Sequence, residues 1–250
     1  MAVASNSVKF GCLFGIGVGP GDPELITLKA LKALQNSPVI CVPQAANRRD
    51  SLALSIVEEY LKPEQEILRA PFPTDDADEA SRVWQKASEL VAEKLKSGQD
   101  VAFLTEGDPM LFSTFSYVLA GVQDLCPEAP VKIIPGVSSV MAAAASSGVP
   151  LATHGQKLAI LPAAYGLEEL SEATSHFDTV VLMKVSPVIV NALADLEDLG
   201  LTENTTYVRR VSTDREKVIR DVRSIKEEDM DYFSLLIVKG NQSEHPKAEQ

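Results

Sequence analysis

Glycine occupies every second position from Gly15 to Gly19, at the end of a short apolar run, and Pro20-Gly21-Asp22-Pro23 follows at once. A strand end that gives up alternate side chains lets bare backbone come close to another backbone or to a ligand, and an Asp-Pro pair suits the first turn of a helix. The same punctuation returns at Gly107-Asp108-Pro109, behind the strand-like run Asp100 to Thr105. Strand, glycine loop and helix in that order are the parts of an α/β fold, whose ligands bind at the carboxyl ends of the strands. Two common ligands fail letter by letter. A dinucleotide fingerprint begun at Gly15 needs glycine where Pro20 stands, and one begun at Gly17 needs it where Asp22 stands. No Gly-Lys-Ser/Thr follows for a phosphate loop, and Pro20 lacks an N–H to offer a phosphate.

With 250 residues, 45% of them hydrophobic, the chain suits one large or two modest domains. No apolar run reaches membrane-spanning length, and Val137 to Ala145 is broken by serines. Met1 to Lys9 lacks the charged-then-apolar pattern of a secretory leader, so a cytoplasmic setting is expected. Cys12, Cys41 and Cys126 are odd in number and sit among apolar residues, which suits buried free thiols; His154, His176 and His245 are scattered, so no metal site is expected. The net charge of −12 opposes nucleic-acid binding, which depends on Lys and Arg. One stretch is locally cationic, with Arg209, Arg210, Arg215, Lys217, Arg220, Arg223 and Lys226 against Asp214, Glu216 and Asp221.

Along the chain, Asp22 as N-cap and Pro23 at the first helical position predict a helix whose apolar face is Leu25, Leu28, Leu31 and Leu34, ending before Pro38. A strand at Val39 to Val42, a helix at Asp50 to Leu61, a short strand at Glu66 to Arg69 and a long helix from Asp78 to Lys96 follow. After Thr105 comes a helix holding Phe112, Phe115, Leu119 and Val122. The run Cys126-Pro127-Glu128-Ala129-Pro130 marks a boundary between domains at 10–128 and 131–240. The second half carries strands at Val131 to Ile134, Lys157 to Leu161, Thr179 to Lys184, Thr205 to Val208 and Ser234 to Val238. Helices fall at Val137 to Ser146, near Leu167 to Ser175 and at Val188 to Leu199, while Glu216 to Ile225 fits a helix or a strand. Repeated βα units predict a predominantly parallel sheet in each half.

A third turn, Gly136-Val137-Ser138-Ser139, can join the two glycine loops at the strand ends. Asp108 suits a ribose hydroxyl or an ammonium group. Ser138 and Ser139 can donate to a carboxylate or cap the helix that follows, and Asp22 reads as a cap.

These residues carry a resemblance. The stretch from Gly17-Val18-Gly19-Pro20-Gly21-Asp22-Pro23-Glu24-Leu25 to Ala30 resembles the opening signature of the tetrapyrrole methylases, and Gly107-Asp108-Pro109 with Pro135-Gly136-Val137-Ser138-Ser139 resembles their second and third motifs. Within that superfamily, Leu104 to Tyr117 and Thr179 to Val185 are most similar to the precorrin-2 carbon-20 methyltransferases of cobalamin biosynthesis. The resemblance implies two consecutive α/β domains with S-adenosylmethionine in the cleft between them, a homodimer, and methyl transfer to a meso carbon of precorrin-2 or its cobalt form. Another tetrapyrrole position, or a binding protein without turnover, is the alternative. Carried over by motif, Pro20, Glu106, Gly107, Asp108, Leu111, Ser138, Ser139, Met183, or Lys184 beside it, and Val211, next to Arg210, would line the cofactor site. Glu106 departs from the small or apolar residue expected there, and Met183 suits core packing equally. Arg48, Arg49, Arg209 and Arg210 are candidates for the substrate's carboxylates, because guanidinium pairs with them bidentately. No catalytic base is identified.

Overall fold

The computed structural model of the chain describes residues 9–45, 51–72, 77–163 and 170–240. Its first sheet has the order β3-β2-β4-β1-β5, built from β1 (Leu13–Gly17), β2 (Val39–Ala45), β3 (Glu66–Phe72), β4 (Val101–Thr105) and β5 (Val131–Ile134). Every pairing in it is parallel. Successive strand residues face opposite sides, so Val101 and Phe103 join a cluster with Ala87, Val91 and Leu95 of α3 (Ala77–Lys96) and Phe115 and Val118 of α4 (Phe115–Leu125). Ala102 and Leu104 join another with Ala30 and Leu34 of α1 (Leu28–Asn36) and Ala53 and Ile56 of α2 (Leu52–Val57). Both faces of β4 are covered, which accounts for its unbroken apolar sequence.

Three boundaries differ from the sequence-based expectation. Asp22 does act as a cap, but only of a 3-10 turn at Pro23–Leu25; α1 starts at Leu28, where the Thr27 hydroxyl accepts from the Ala30 N–H at 3.1 Å. Ile26 and Thr27 are extended, so the leucine spacing does not run as one helical face and Leu28 is 76% exposed. Phe112 lies outside α4, in left-handed backbone and exposed, because the Ser113 hydroxyl accepts from the Phe115 N–H and sets the helix start there. The segment Cys126 to Pro130 is a helix-to-strand connection, not a domain boundary. β5 pairs with β1 in register, Leu13 opposite Val131, and the chain divides after Ser138.

The second unit contains α5 (Ser139–Ser147), β6 (Leu158–Pro162), α6 (Leu170–His176), β7 (Thr179–Met183), α7 (Ile189–Asp198), β8 (Thr205–Arg209), β9 (Lys217–Ile219) and β10 (Ser234–Lys239). Its sheet order is β6-β7-β10-β8-β9. Only β6 and β7 are parallel; β10 runs antiparallel to β7 and β8, and β9 antiparallel to β8. The expectation of a mainly parallel sheet therefore holds for the first unit alone. The chain comes back from β9 through 3-10 turns at Val222–Ser224 and Glu227–Asp229, and no crossover helix separates β8, β9 and β10. Glu216 to Ile225 thus resolves into a short strand and a turn. Tyr207 is buried in this unit's core, its hydroxyl donating to the Asp229 carbonyl at 2.7 Å, and burial raises its pKa.

Candidate functional site

In the order β4-β1-β5 the carboxyl ends of three strands stand side by side, and each continues into one of the glycine loops. The loops touch through backbone. A Cβ built on Gly17 would lie 2.5 Å from the Gly107 carbonyl oxygen and 2.6 Å from the Gly136 nitrogen. Real Cβ atoms do not approach so closely, so position 17 accepts only glycine without movement of the main chain. Gly19 and Gly107 form an isolated antiparallel bridge, with the Gly107 N–H donating to the Gly19 carbonyl at 2.8 Å. Both have positive φ, +87° and 66°.

Asp108 ties two of the loops together. Its Oδ1 accepts from the Met110 N–H at 2.8 Å and its Oδ2 from the Gly136 N–H at 3.1 Å. Thr105 and Ser113 share a hydroxyl hydrogen bond of 2.9 Å that closes the loop between β4 and α4. Glu106, the departure from the family pattern, places Oε1 3.2 Å from the Ala53 N–H and so satisfies a free donor in the first turn of α2. Pro20 is buried and Leu111 half-buried. The first unit thus gathers Pro20, Glu106, Gly107, Asp108 and Leu111 on neighbouring loops, with Ser138 as its last residue; Ser139 opens α5.

In the second unit Met183 ends β7 half-buried, and Lys184 follows with φ 56°. Val211 is buried between Arg210 and Ser212, whose φ values are 43° and 60°. Left-handed backbone costs a residue with a side chain roughly 1–2 kcal/mol, so neighbouring contacts must hold it. Arg210 has them: Nε donates to Asp231 Oδ2 at 2.6 Å, its N–H donates to the Phe233 carbonyl at 2.7 Å, and its guanidinium carbon lies 5.4 Å from the Phe233 ring centre. Arg209 donates to the Glu228 carbonyl at 3.1 Å and stands 3.8 Å from Asp229. The two arginines do not continue a strand with alternating faces, because β8 ends at Arg209. Both are engaged with carboxylates of their own unit, while Arg48 and Arg49 lie outside the described residues.

Sequence reasoning missed Asp229 and the segment Asp231-Tyr232-Phe233-Ser234. The only signal for them is an acidic residue beside aromatics just before a strand, which has no periodicity. Asp229 is 1% exposed, and the Lys217 amine at 2.5 Å, the Lys226 N–H and the Arg209 charge hold its carboxyl below the usual carboxylate range. The three cysteines are free and buried, and burial pushes the Cys41 thiol far up. Among the described residues no group of three His, Cys, Asp or Glu side chains could hold a metal ion, and no helix is long and apolar enough to cross a membrane.

The family model for tetrapyrrole (corrin/porphyrin) methylases matches residues 12–225. A cobalt-precorrin-2 C(20)-methyltransferase of Salmonella typhimurium is 34% identical over 91% of this chain and 96% of its own. A precorrin-2 C(20)-methyltransferase of a Sinorhizobium species is 30% identical over 94% and 98%. A Thermus thermophilus uroporphyrin-III C-methyltransferase, solved with S-adenosylhomocysteine, superposes with a TM-score of 0.65 at 24% identity, covering 92% of each chain.

Proposed function

The chain belongs to the tetrapyrrole (corrin/porphyrin) methylase family, and we propose from that membership that it is an S-adenosylmethionine-dependent methyltransferase acting at carbon 20 of precorrin-2 or its cobalt form, in cobalamin biosynthesis. The relatives of near-equal length support the substrate class. The observation that carries the site is the meeting of Gly17, Gly107 and Gly136 backbone to backbone at the ends of adjacent strands. A cradle of main-chain groups fits a cofactor recognised by its sugar, base and amino-acid ends. We assign the contacts to Pro20, Glu106, Gly107, Asp108, Leu111, Ser138, Ser139, Met183, Lys184 and Val211. The cytoplasmic setting and the homodimer belong to the same proposal.

When bound, S-adenosylmethionine supplies a methyl group already activated on a sulfonium. The protein's part is placement. The three loops fix one another through Gly107 N–H to Gly19 and Asp108 to Gly136, so the cofactor meets a preformed surface and little ordering is left for the binding step. Alignment of donor and acceptor carbon is worth several kcal/mol, about 7 at the lower end for ideal geometry. The substrate's carboxylates call for arginine. Arg209 and Arg210 are held by Asp229 and Asp231, which moves that role to Arg48 and Arg49.

Titration with S-adenosylhomocysteine and with NAD tests the cofactor: the first is expected to stabilise the fold, by about 2.7 kcal/mol at 100 times its dissociation constant, and so raise the melting temperature, and the second to leave it unchanged. Side-by-side methyl transfer to precorrin-2 and cobalt-precorrin-2 then tests the substrate. Stabilisation by NAD alone, or no transfer to either tetrapyrrole, would remove the proposal.

A further inference from the structure

Two strand ends in the second unit finish in the same way on the same four residues. β7 ends at Met183 and β8 at Arg209, on either side of β10. Each is followed by a cationic residue in left-handed backbone, Lys184 and Arg210. The Lys184 N–H donates to the Ser234 carbonyl at 3.1 Å and the Arg210 N–H to that of Phe233 at 2.7 Å. Each cation also lies over a ring of that segment, Lys184 Nζ 6.0 Å from the centre of Tyr232 and Arg210 Cζ 5.4 Å from that of Phe233. The two rings meet edge to face at 5.3 Å, and Asp231 fixes the guanidinium through its 2.6 Å bond to Nε.

We propose that the corner Asp231–Ser234 is a positioning element: it holds Arg210 in left-handed backbone and thereby sets the direction of Val211, with Asp231 and Phe233 as the positioning residues. This rests on the assignment of Val211 to the cofactor. Arg210 is then a strut and not a group for substrate carboxylates. A left-handed residue turns the chain out of the strand direction, so the side chain after it is aimed by that one dihedral. Val211 is buried although both its neighbours are half-exposed.

Calorimetric titration of S-adenosylhomocysteine into the full chain separates the conformation from the charge. Arg210→Val and Arg210→Gly both lose the guanidinium, but only glycine takes a positive φ without strain. Arg210→Val is expected to weaken binding at least about tenfold, equivalent to 1.4 kcal/mol, and Arg210→Gly to stay within about threefold of wild type. Asp231→Asn is expected to weaken binding in the wild-type background and to add nothing to Arg210→Gly, because glycine no longer needs the strut. Melting temperatures accompany each titration; a merely structural role would lower them in both Arg210 variants without separating their affinities. If Arg210→Val does not fold, Arg210→Ala carries the same contrast with glycine. Equal affinities for the valine and glycine variants, or an undiminished effect of Asp231→Asn beside Arg210→Gly, would overturn the proposal. A wild type that binds no S-adenosylhomocysteine would instead overturn the cofactor assignment on which it stands.

Discussion

A β-carbon on Gly136 would stand 2.2 Å from the carbonyl oxygen of Gly107. The next atoms it would meet belong to Gly17, at 2.8 Å, and all of them are backbone, with no flexible side chain to swing aside. Gly136→Ala is therefore expected to part the three loops, costing about 1–3 kcal/mol as overpacking does, and to weaken S-adenosylhomocysteine binding at least about tenfold. Gly148→Ala is the control. Its φ of +68° makes alanine strained, yet nothing lies within 4 Å of the new carbon, so stability falls while affinity holds. Calorimetry and thermal melts on the two variants check the contrast, and equal affinities would contradict it.

Asp108 acts on the same loops through its two oxygens. Because one accepts from Met110 and the other from Gly136, Asp108→Ala is expected to weaken cofactor binding roughly 10- to 100-fold by releasing the Gly136 loop. Asparagine keeps one acceptor oxygen and should fall between. If alanine leaves affinity at the wild-type value in a folded protein, the loop does not depend on this carboxylate.

The first sheet is legible in the sequence because its signals are local. Each strand of the three-loop site is a largely apolar run, β1 ending in a glycine and β4 and β5 each followed by one two residues on, and Asp22 or Thr27 beside a helix start are caps readable within four residues. Even there the capping rule picks the wrong residue for α1, since Asp22-Pro23 satisfies a single turn and the extended Ile26 interrupts it. Periodicity says nothing about which strand pairs with which. The fifth strand's place beside β1 and the antiparallel insertion of β10 between β7 and β8 are long-range pairings set by the whole sheet, so local patterns misplace the domain boundary and make the second sheet parallel. Arg209 and Arg210 are visible in the sequence as charge, but their pairing is not, because Asp229 and Asp231 lie some twenty positions further along.

Glu106 links the second glycine loop to α2, the helix that begins just after the segment holding Arg48 and Arg49. Glu106→Gln keeps an acceptor for the Ala53 N–H and is expected to be mild, within about 0.5 kcal/mol. Glu106→Leu removes the acceptor and leaves a helix donor unmet, at a cost of about 1–3 kcal/mol if it stays buried. If the α2 tether also steadies the arginine segment, the leucine variant raises the KM for the tetrapyrrole more than that for S-adenosylmethionine. Steady-state kinetics with each substrate varied in turn decide this; equal rises in the two constants would confine Glu106 to the cofactor loop.

Asp229 gives the protein a defined response to acid. The Lys217 amine first, then the Lys226 N–H and Arg209, favour its charged form, so its pKa in the folded chain lies below the ordinary 3.8. A depressed carboxylate contributes stability that is fully present above the unfolded value and is lost as pH falls through the folded one. The loss therefore falls below about pH 4, and stability near neutrality does not register it. Asp229→Asn cannot titrate, so the gap between its melting temperature and that of the wild type is expected to be constant from pH 7 to about 5 and to close on further acidification. Lys217→Met removes the largest cause and should shrink the acid-dependent part of the gap while leaving the Arg209 contact in place. Thermal melts of the three proteins across this range test it; a gap that stays constant down to about pH 2 would mean that Asp229 is held by packing and not by charge.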